Sequence, residues 1–293
     1  MYGAILGDMI GSPYEFDMGD KTKEFPLFSK HSCFTDDSVM TIAVADAFLD
    51  AQPNADIEWI RNRLIRGMQR YGKEFPHAGY GGMFRRWLVT DNPEPYSSFG
   101  NCSAMRVSPV GLYANSMEEA LELARITASV SHNHPEGIKG AQAIAAAIYL
   151  KRTEEFDTKG EIKRFIEKHF RYNLDTDLRE IRKDYAFDVT CQGSVPIAIM
   201  AYLQEPYRAE KAIRLAVSMG GDSDTIGCMA ASIATAERPH VISSSLSREI
   251  EDKCRELLPP DLLDINDRFL AFINRPLHQS YEVSVAGGAV YAG

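Results

Sequence analysis

Two short stretches hold the side chains best suited to chemistry. One is Phe34-Thr35-Asp36-Asp37-Ser38 and the other is Gly220-Gly221-Asp222-Ser223-Asp224-Thr225. Each places two carboxylates and hydroxyls where a loop turns into a helical pattern. A single Asp, Ser or Thr there needs no more explanation than a helix cap. One cap would suffice, and a second carboxylate beside it adds like-charge repulsion unless a cation lies between them. Oxygen ligands of this hardness suit Mg²⁺, Mn²⁺ or Ca²⁺ and not zinc, which favours His and Cys. If the stretches meet in space they bring four Asp (Asp36, Asp37, Asp222, Asp224) and two Thr (Thr35, Thr225) to one point, enough for a two-metal site. A third stretch, Gly7-Asp8-Met9-Ile10-Gly11-Ser12-Pro13-Tyr14-Glu15, combines glycines that permit close backbone approach with a lone acid at the mouth of a loop. Left to itself, Glu15 reads as an exposed loop acid.

Helices must position these residues. Apolar periodicity predicts helices over 37–51, 55–71, 117–130, 136–151, 160–170, 193–203, 207–219, 223–236, 245–257 and 262–273. Two starts show the capping-box pattern, Ser116 with Glu119 and Thr158 with Glu161. The run Ala141 to Ile148 is small and apolar nearly all round, as a central, closely packed helix requires. Alternating patterns are scarce, the one candidate strand being Tyr281 to Val285. No linker or repeat divides the chain. The expected fold is all-α, with a single domain over 1–273 and a tail, 274–293, that is a strand or a loosely held end. Three long loops, 12–35, 72–82 and 90–103, are the natural places for binding on such a scaffold.

Composition narrows the function classes. With 45% hydrophobic and 25% charged residues the chain is globular and not disordered. Lys and Arg total 32 against 41 Asp and Glu, a formal charge of −9. That balance, with no basic block, disfavours sequence-independent nucleic-acid binding. No stretch supplies the ~18 apolar residues of a membrane span, and the first eight residues lack a signal peptide's basic leader. Five cysteines, scattered and without a C-x-x-C, argue against a disulfide framework and for a reducing, cytoplasmic setting.

The three acidic stretches, taken in order, resemble the ADP-ribosylglycohydrolase family, which includes the dinitrogenase reductase-activating glycohydrolase and ADP-ribosyl-acceptor hydrolases. Further matches lie between them: Gly79-Tyr80-Gly81-Gly82, Ser98-Phe99-Gly100-Asn101, Ala104-Met105-Arg106, Ser131-His132-Asn133-His134-Pro135 and Gln192-Gly193-Ser194-Val195-Pro196. No single one is specific; their order from Gly3 to about Ala236 is.

The resemblance implies an all-α fold around two Mg²⁺ or Mn²⁺ ions. Thr35, Asp36 and Asp37 would face Asp222, Asp224 and Thr225 across the metals, with Glu15 in the same shell. Glu15, Asp36 or Asp37 would be the base that activates water. Gly79, Tyr80 and Gly81, with Ser98, Gly100 and Asn101, would hold an ADP-ribose diphosphate through backbone N–H groups. Phe99 matches an aromatic that stacks on adenine, and His134 a histidine near the phosphates or ribose. Plainer roles stand beside these: a turn for Gly79–Gly82, core packing for Phe99, a helix start for His134 before Pro135. Ser194 lacks the flanks of a nucleophile elbow and reads as structural. Cys102 departs from a position where relatives often have glycine.

The implied reaction is hydrolysis at C1″ of the distal ribose of an ADP-ribosylated protein, with oxocarbenium character in the transition state. Arginine is the favoured acceptor, because that activity is widespread among relatives. Serine, O-acetyl-ADP-ribose, polymer and nucleic-acid-end linkages, or binding of ADP-ribose without turnover, are the alternatives. The partner is thus a modified protein or an ADP-ribose-containing small molecule, not a membrane, and the chain is expected to be a monomer.

Overall fold

A buried helix that apolar periodicity does not predict packs beside the site, and four shorter helices are also unpredicted. In the computed structural model, which describes residues 2–18, 21–49, 51, 56–153, 158–236 and 246–274, α1 (Tyr2–Gly11) is buried along nine of its ten residues. Its Gly3, Gly7 and Gly11 recur at a spacing of four and so form one stripe. That stripe lies against α13. A Cβ on Gly7 would sit 2.1 Å from the Gly227 carbonyl oxygen, and one on Gly11 would sit 2.3 Å from the Ser223 carbonyl oxygen. Only hydrogen fits there, so two backbones touch directly.

The remaining helices are α2 (Asp36–Leu49), α3 (Ile57–Glu74), α4 (Gly82–Val89), α5 (Cys102–Met105), α6 (Ser108–Tyr113), α7 (Met117–Ser129) and α8 (Pro135–Thr153). They continue as α9 (Thr158–Phe170), α10 (Leu178–Ile181), α11 (Cys191–Gln204), α12 (Ala209–Val217), α13 (Ser223–Ala234), α14 (Arg248–Leu257) and α15 (Pro260–Ile273). Among the described residues there is no named strand, only an isolated bridge between Gly100 and Thr190. The fold is therefore all-α and one domain, as expected.

Helices buried on every side form the centre. All of α13 and all but Leu49 of α2 are buried. The small-residue run of α8 packs as expected, with Ala143 to Ile148 wholly inside. The amphipathic α3, α9 and α14 bury one stripe each and form the outside.

Local details differ from expectation in three places. Ser116 caps α7, its Oγ accepting from Glu119 N at 3.0 Å, but Glu119 reaches back to Asn115 N at 2.7 Å and not to the cap residue itself. Thr158 is already the first residue of α9, not its cap. The loops are shorter than read, because a 3-10 turn occupies Ser12–Asp17, α3 runs on to Glu74, and α5 begins at Cys102. The strand considered for 281–285 lies outside the described residues.

Candidate metal and ADP-ribose site

The start of α2 accounts for every one of its free amides. Asp36 N donates to Ala78 O at 2.6 Å, Asp37 N to Thr35 Oγ1 at 3.3 Å, and Ser38 N to Asp8 Oδ2 at 3.0 Å. A carboxylate from α1 thus caps α2 from outside. Neither Asp36 nor Asp37 is used as a cap, so the plainer account of that acidic pair does not hold.

The start of α13 is built by a different device. Gly220 and Gly221 take φ of +73° and +66°, a region that side chains disfavour. The turn they make is tied to the 3-10 turn after α1. Phe16 N donates to Gly221 O at 2.9 Å, and Gly221 N donates to Asp17 Oδ1 at 2.8 Å. Phe16 and Asp17 themselves have φ of +57° and +58°, a strained conformation for residues with side chains. The strain sits immediately after Glu15 and fixes where that carboxylate goes.

These turns bring the acids together. Oxygens of Asp8, Asp37 and Asp224 lie within 4.8 Å of one another, as do oxygens of Glu15, Asp222 and Asp224. Asp224 belongs to both triads. Thr225 Oγ1 donates to Asp37 Oδ2 at 3.1 Å, and Asn101 Nδ2 donates to Asp222 Oδ2 at 2.5 Å. Asp36 stands beside the same group, close enough that Asp8, Asp222 and Glu15 all raise its carboxyl.

The electrostatics are those of negative charge without local compensation. Burial, then neighbouring carboxylates, pushes Glu15 up to about 7 and Asp36 up to about 8. Burial alone outweighs the hydrogen bonds at Asp8 and lifts it to about 6. It also lifts Asp222 to about 6. Asp37 and Asp224 lie well above the usual carboxylate range for the same reasons, burial first. Asp37 Oδ1 is buried with no hydrogen-bond partner. An orphaned carboxylate oxygen inside an all-oxygen cluster fits a hard divalent cation, which would supply the missing partner and lower all six groups together.

The loops frame this cluster. Gly79 lies against Asp36, where a Cβ would be 3.3 Å from Oδ1. Tyr80 is buried, its ring 6.0 Å from Phe84 and its hydroxyl unpartnered. Gly81 and Gly82 face open space at the start of α4. The Ser98–Asn101 segment runs along 189–191, with Asn101 N donating to Val189 O and Cys191 N to Phe99 O. Ser98 Oγ accepts from Gly100 N at 3.1 Å. Phe99 is 45% exposed, which removes the core-packing account of it. Its ring meets His134 edge-on at 5.3 Å. His134 Nδ1 accepts from Glu136 N at 3.1 Å, so this residue also serves the start of α8. Cys102 is half-buried, and Asp36, Asp37 and Asp222 reinforce the burial that raises its thiol. Ser194 Oγ donates to Thr190 O at 2.7 Å, the structural role expected of it.

Two residues at this site carry roles that the sequence reading did not assign. Asp8 is one. The other is His132, buried beneath Gly100, with Nδ1 2.8 Å from Ser131 Oγ and its ring between those of Phe84 and Tyr96. Burial and the Arg106 charge hold its imidazole neutral. The signal for both was position within the quoted motifs, since residue type alone did not separate His132 from His134.

A helical domain with buried carboxylate triads at its centre defines a class of all-α proteins with a metal-compatible acidic site. The sequence model of ADP-ribosylglycohydrolase matches residues 1–271, and the chain belongs to that family. It is 26% identical to the Bos taurus protein named ADP-ribosylhydrolase ARH3, over 80% of this chain and 82% of the relative. It is 24% identical to the uncharacterized protein YegU of Escherichia coli K12, over 86% and 90% of the two chains. A solved structure titled ADP-ribosylglycohydrolase-related protein complex superposes with a TM-score of 0.63, at 20% identity, over 93% of this chain and 94% of that one; this shows the shared fold. No helix among the described residues is long and apolar enough to cross a membrane.

Proposed function

We propose that the protein is a Mg²⁺- or Mn²⁺-dependent hydrolase that removes ADP-ribose from a modified protein, with arginine as the favoured acceptor. The observation that carries this reading is the pair of carboxylate triads sharing Asp224, with Asp37 Oδ1 unsatisfied beside it. Family membership and the similarity to an ADP-ribosylhydrolase support it.

Asp37, Asp222 and Asp224, with Thr35, Thr225 and Asp36, would hold two ions. Bound there, the ions supply Lewis-acid charge to the ribose hydroxyls and to the attacking water. Glu15, at the edge of the cluster and half-buried, takes the proton from that water; Asp36 and Asp37 are the other candidates. Asn101 keeps Asp222 in one orientation through its amide. The backbone of Gly79–Gly82 offers N–H groups to the diphosphate, whereas the Gly100 and Asn101 amides are already donated to Ser98 Oγ and Val189 O, so the 98–101 segment contributes through Ser98 and Phe99. Phe99, exposed at the rim with His134 against it, gives adenine a face to stack on. Cytoplasmic residence and a monomeric state are part of the proposal; the five cysteines are all unpaired.

The test is a product assay on arginine-linked and serine-linked peptides and on O-acetyl-ADP-ribose, with Mg²⁺ and after exhaustive chelation. Free ADP-ribose released from arginine-linked peptide, only when the cation is present, is the expected result. Release from another linkage alone reassigns the acceptor. Tight ADP-ribose binding with no release from any substrate overturns the catalytic reading.

A further inference from the structure

We infer that Asp8 is the positioning residue of this site, bracing the Thr35–Ser38 turn against α1, and not itself a ligand of the cation. The inference rests on the proposed cation site. Asp8 shares a triad with Asp37 and Asp224, so direct ligation is the role to be weighed against it.

The lone pairs decide between the two. A carboxylate oxygen offers about two hydrogen-bonding directions. Asp8 Oδ2 accepts from Thr35 N at 2.9 Å, from Ser38 N at 3.0 Å, and from the Ser38 hydroxyl. That oxygen is saturated, and its donors present positive hydrogens where a cation would have to stand. Oδ1 accepts from Thr35 Oγ1 at 2.7 Å. Asp37 is the converse case: its Oδ1 is buried and has no donor at all. Within one triad, then, Asp8 has one oxygen saturated and the other already accepting from Thr35, whereas Asp37 keeps an oxygen with no donor.

The location of Asp8 explains what the brace does. It projects from α1, whose glycine stripe rests directly on the backbone of α13, the helix that carries Asp224 and Thr225. Its four hydrogen bonds all go to the turn that carries Asp36 and Asp37. Asp8 therefore transmits the α1–α13 contact to α2 and sets one acidic turn relative to the other. Residues that orient metal ligands in this way typically govern affinity by 10–100-fold when altered.

The experiment is Mn²⁺ titration of the full chain, with affinity and ion count followed by calorimetry and Mn²⁺ electron paramagnetic resonance. Wild type is compared with Asp8→Asn, Ser38→Ala and the double variant. Bracing predicts that each single variant weakens Mn²⁺ binding by roughly tenfold with the ion count unchanged. It also predicts that the double variant is little weaker than Asp8→Asn alone, because both changes remove one brace. Loss of an ion in Asp8→Asn while Ser38→Ala binds like wild type makes Asp8 a ligand and overturns the inference. If Asp8→Asn does not fold, Ser38→Ala alone decides, wild-type affinity counting against the brace. Variants that bind Mn²⁺ as wild type does overturn the inference and leave the cation site standing. A wild-type protein that binds no Mn²⁺ overturns both.

Discussion

Thr225 Oγ1 donates to Asp37 Oδ2 at 3.1 Å across 188 residues of sequence. This bond joins the two acidic turns side chain to side chain, and it leaves the other Asp37 oxygen without a partner. Asp37→Asn and Asp224→Asn each remove charge from the shared triad while keeping volume. Either variant should lower cation-dependent ADP-ribose release by about a hundredfold or more, which corresponds to roughly 3 kcal/mol of barrier. Chromatography of the released product, with far-ultraviolet circular dichroism to show intact helices, checks this. Wild-type rates in both folded variants would remove the metal site from the mechanism.

The raised carboxylates also fix the sign of a pH effect. Asp8, Asp36 and Asp222 ordinarily titrate at 3.8 and Glu15 at 4.5, but in the folded chain they stand at about 6, 8, 6 and 7. Between those limits the native state holds more protons than the unfolded state, so stability must fall as pH rises. The Tm of chelator-treated protein should therefore decline from pH 5 to pH 8. Added Mg²⁺ should raise Tm, and by more at pH 8 than at pH 5, since it competes with those protons. Scanning fluorimetry across this range, with chelator and with Mg²⁺, reads both slopes. A cation effect that shrinks with pH would contradict the assignment.

Glycine positions give a stability prediction with an internal control. Gly7→Ala would place a methyl 2.1 Å from the Gly227 carbonyl oxygen, in an interface with no side chain to yield. It should cost about 3 kcal/mol or more, at or beyond the upper end of ordinary overpacking. Gly81→Ala meets nothing within 4 Å and has an ordinary φ of −59°, so it should change stability by less than about 0.5 kcal/mol. Urea unfolding of both measures the contrast; equal effects would show that the α1–α13 contact is looser than drawn.

Phe99 stands 45% exposed with His134 against its ring, and it is the face proposed for adenine. Phe99→Ala should weaken ADP-ribose binding by roughly tenfold, about 1.4 kcal/mol, within the range for a base stacked on an aromatic ring. The loss should appear in KM and not in kcat, because a contact to adenine is remote from the bond broken at the distal ribose. Calorimetry with ADP-ribose and steady-state kinetics separate the two.

Much of this architecture was legible from residue pattern. The helix predicted at 117–130 is Met117–Ser129, and that at 160–170 is Thr158–Phe170, because one apolar stripe against a polar face repeats cleanly in both. The acidic turns were legible since two carboxylates exceed what a cap needs. Helix α1 was not, because glycine opposes helix by about 1 kcal/mol per residue, and the stripe that rewards it is visible only against α13. Asp8 was not, because its role depends on donors 27 and 30 residues away. His132 and His134 differ in burial and in partners, which residue type does not encode.

The glycine stripe has a consequence for how this protein tolerates change. Side chains repack by hopping rotamers, so a spacing maintained by side chains drifts as a core is substituted. The spacing between α1 and α13 is maintained by main-chain atoms in van der Waals contact, which have no rotamers to exchange. The span between the two acidic turns is therefore gauged by atomic radii common to every amino acid. Substitutions elsewhere in the core can accumulate without moving it, while the few glycine positions that form the gauge admit almost none.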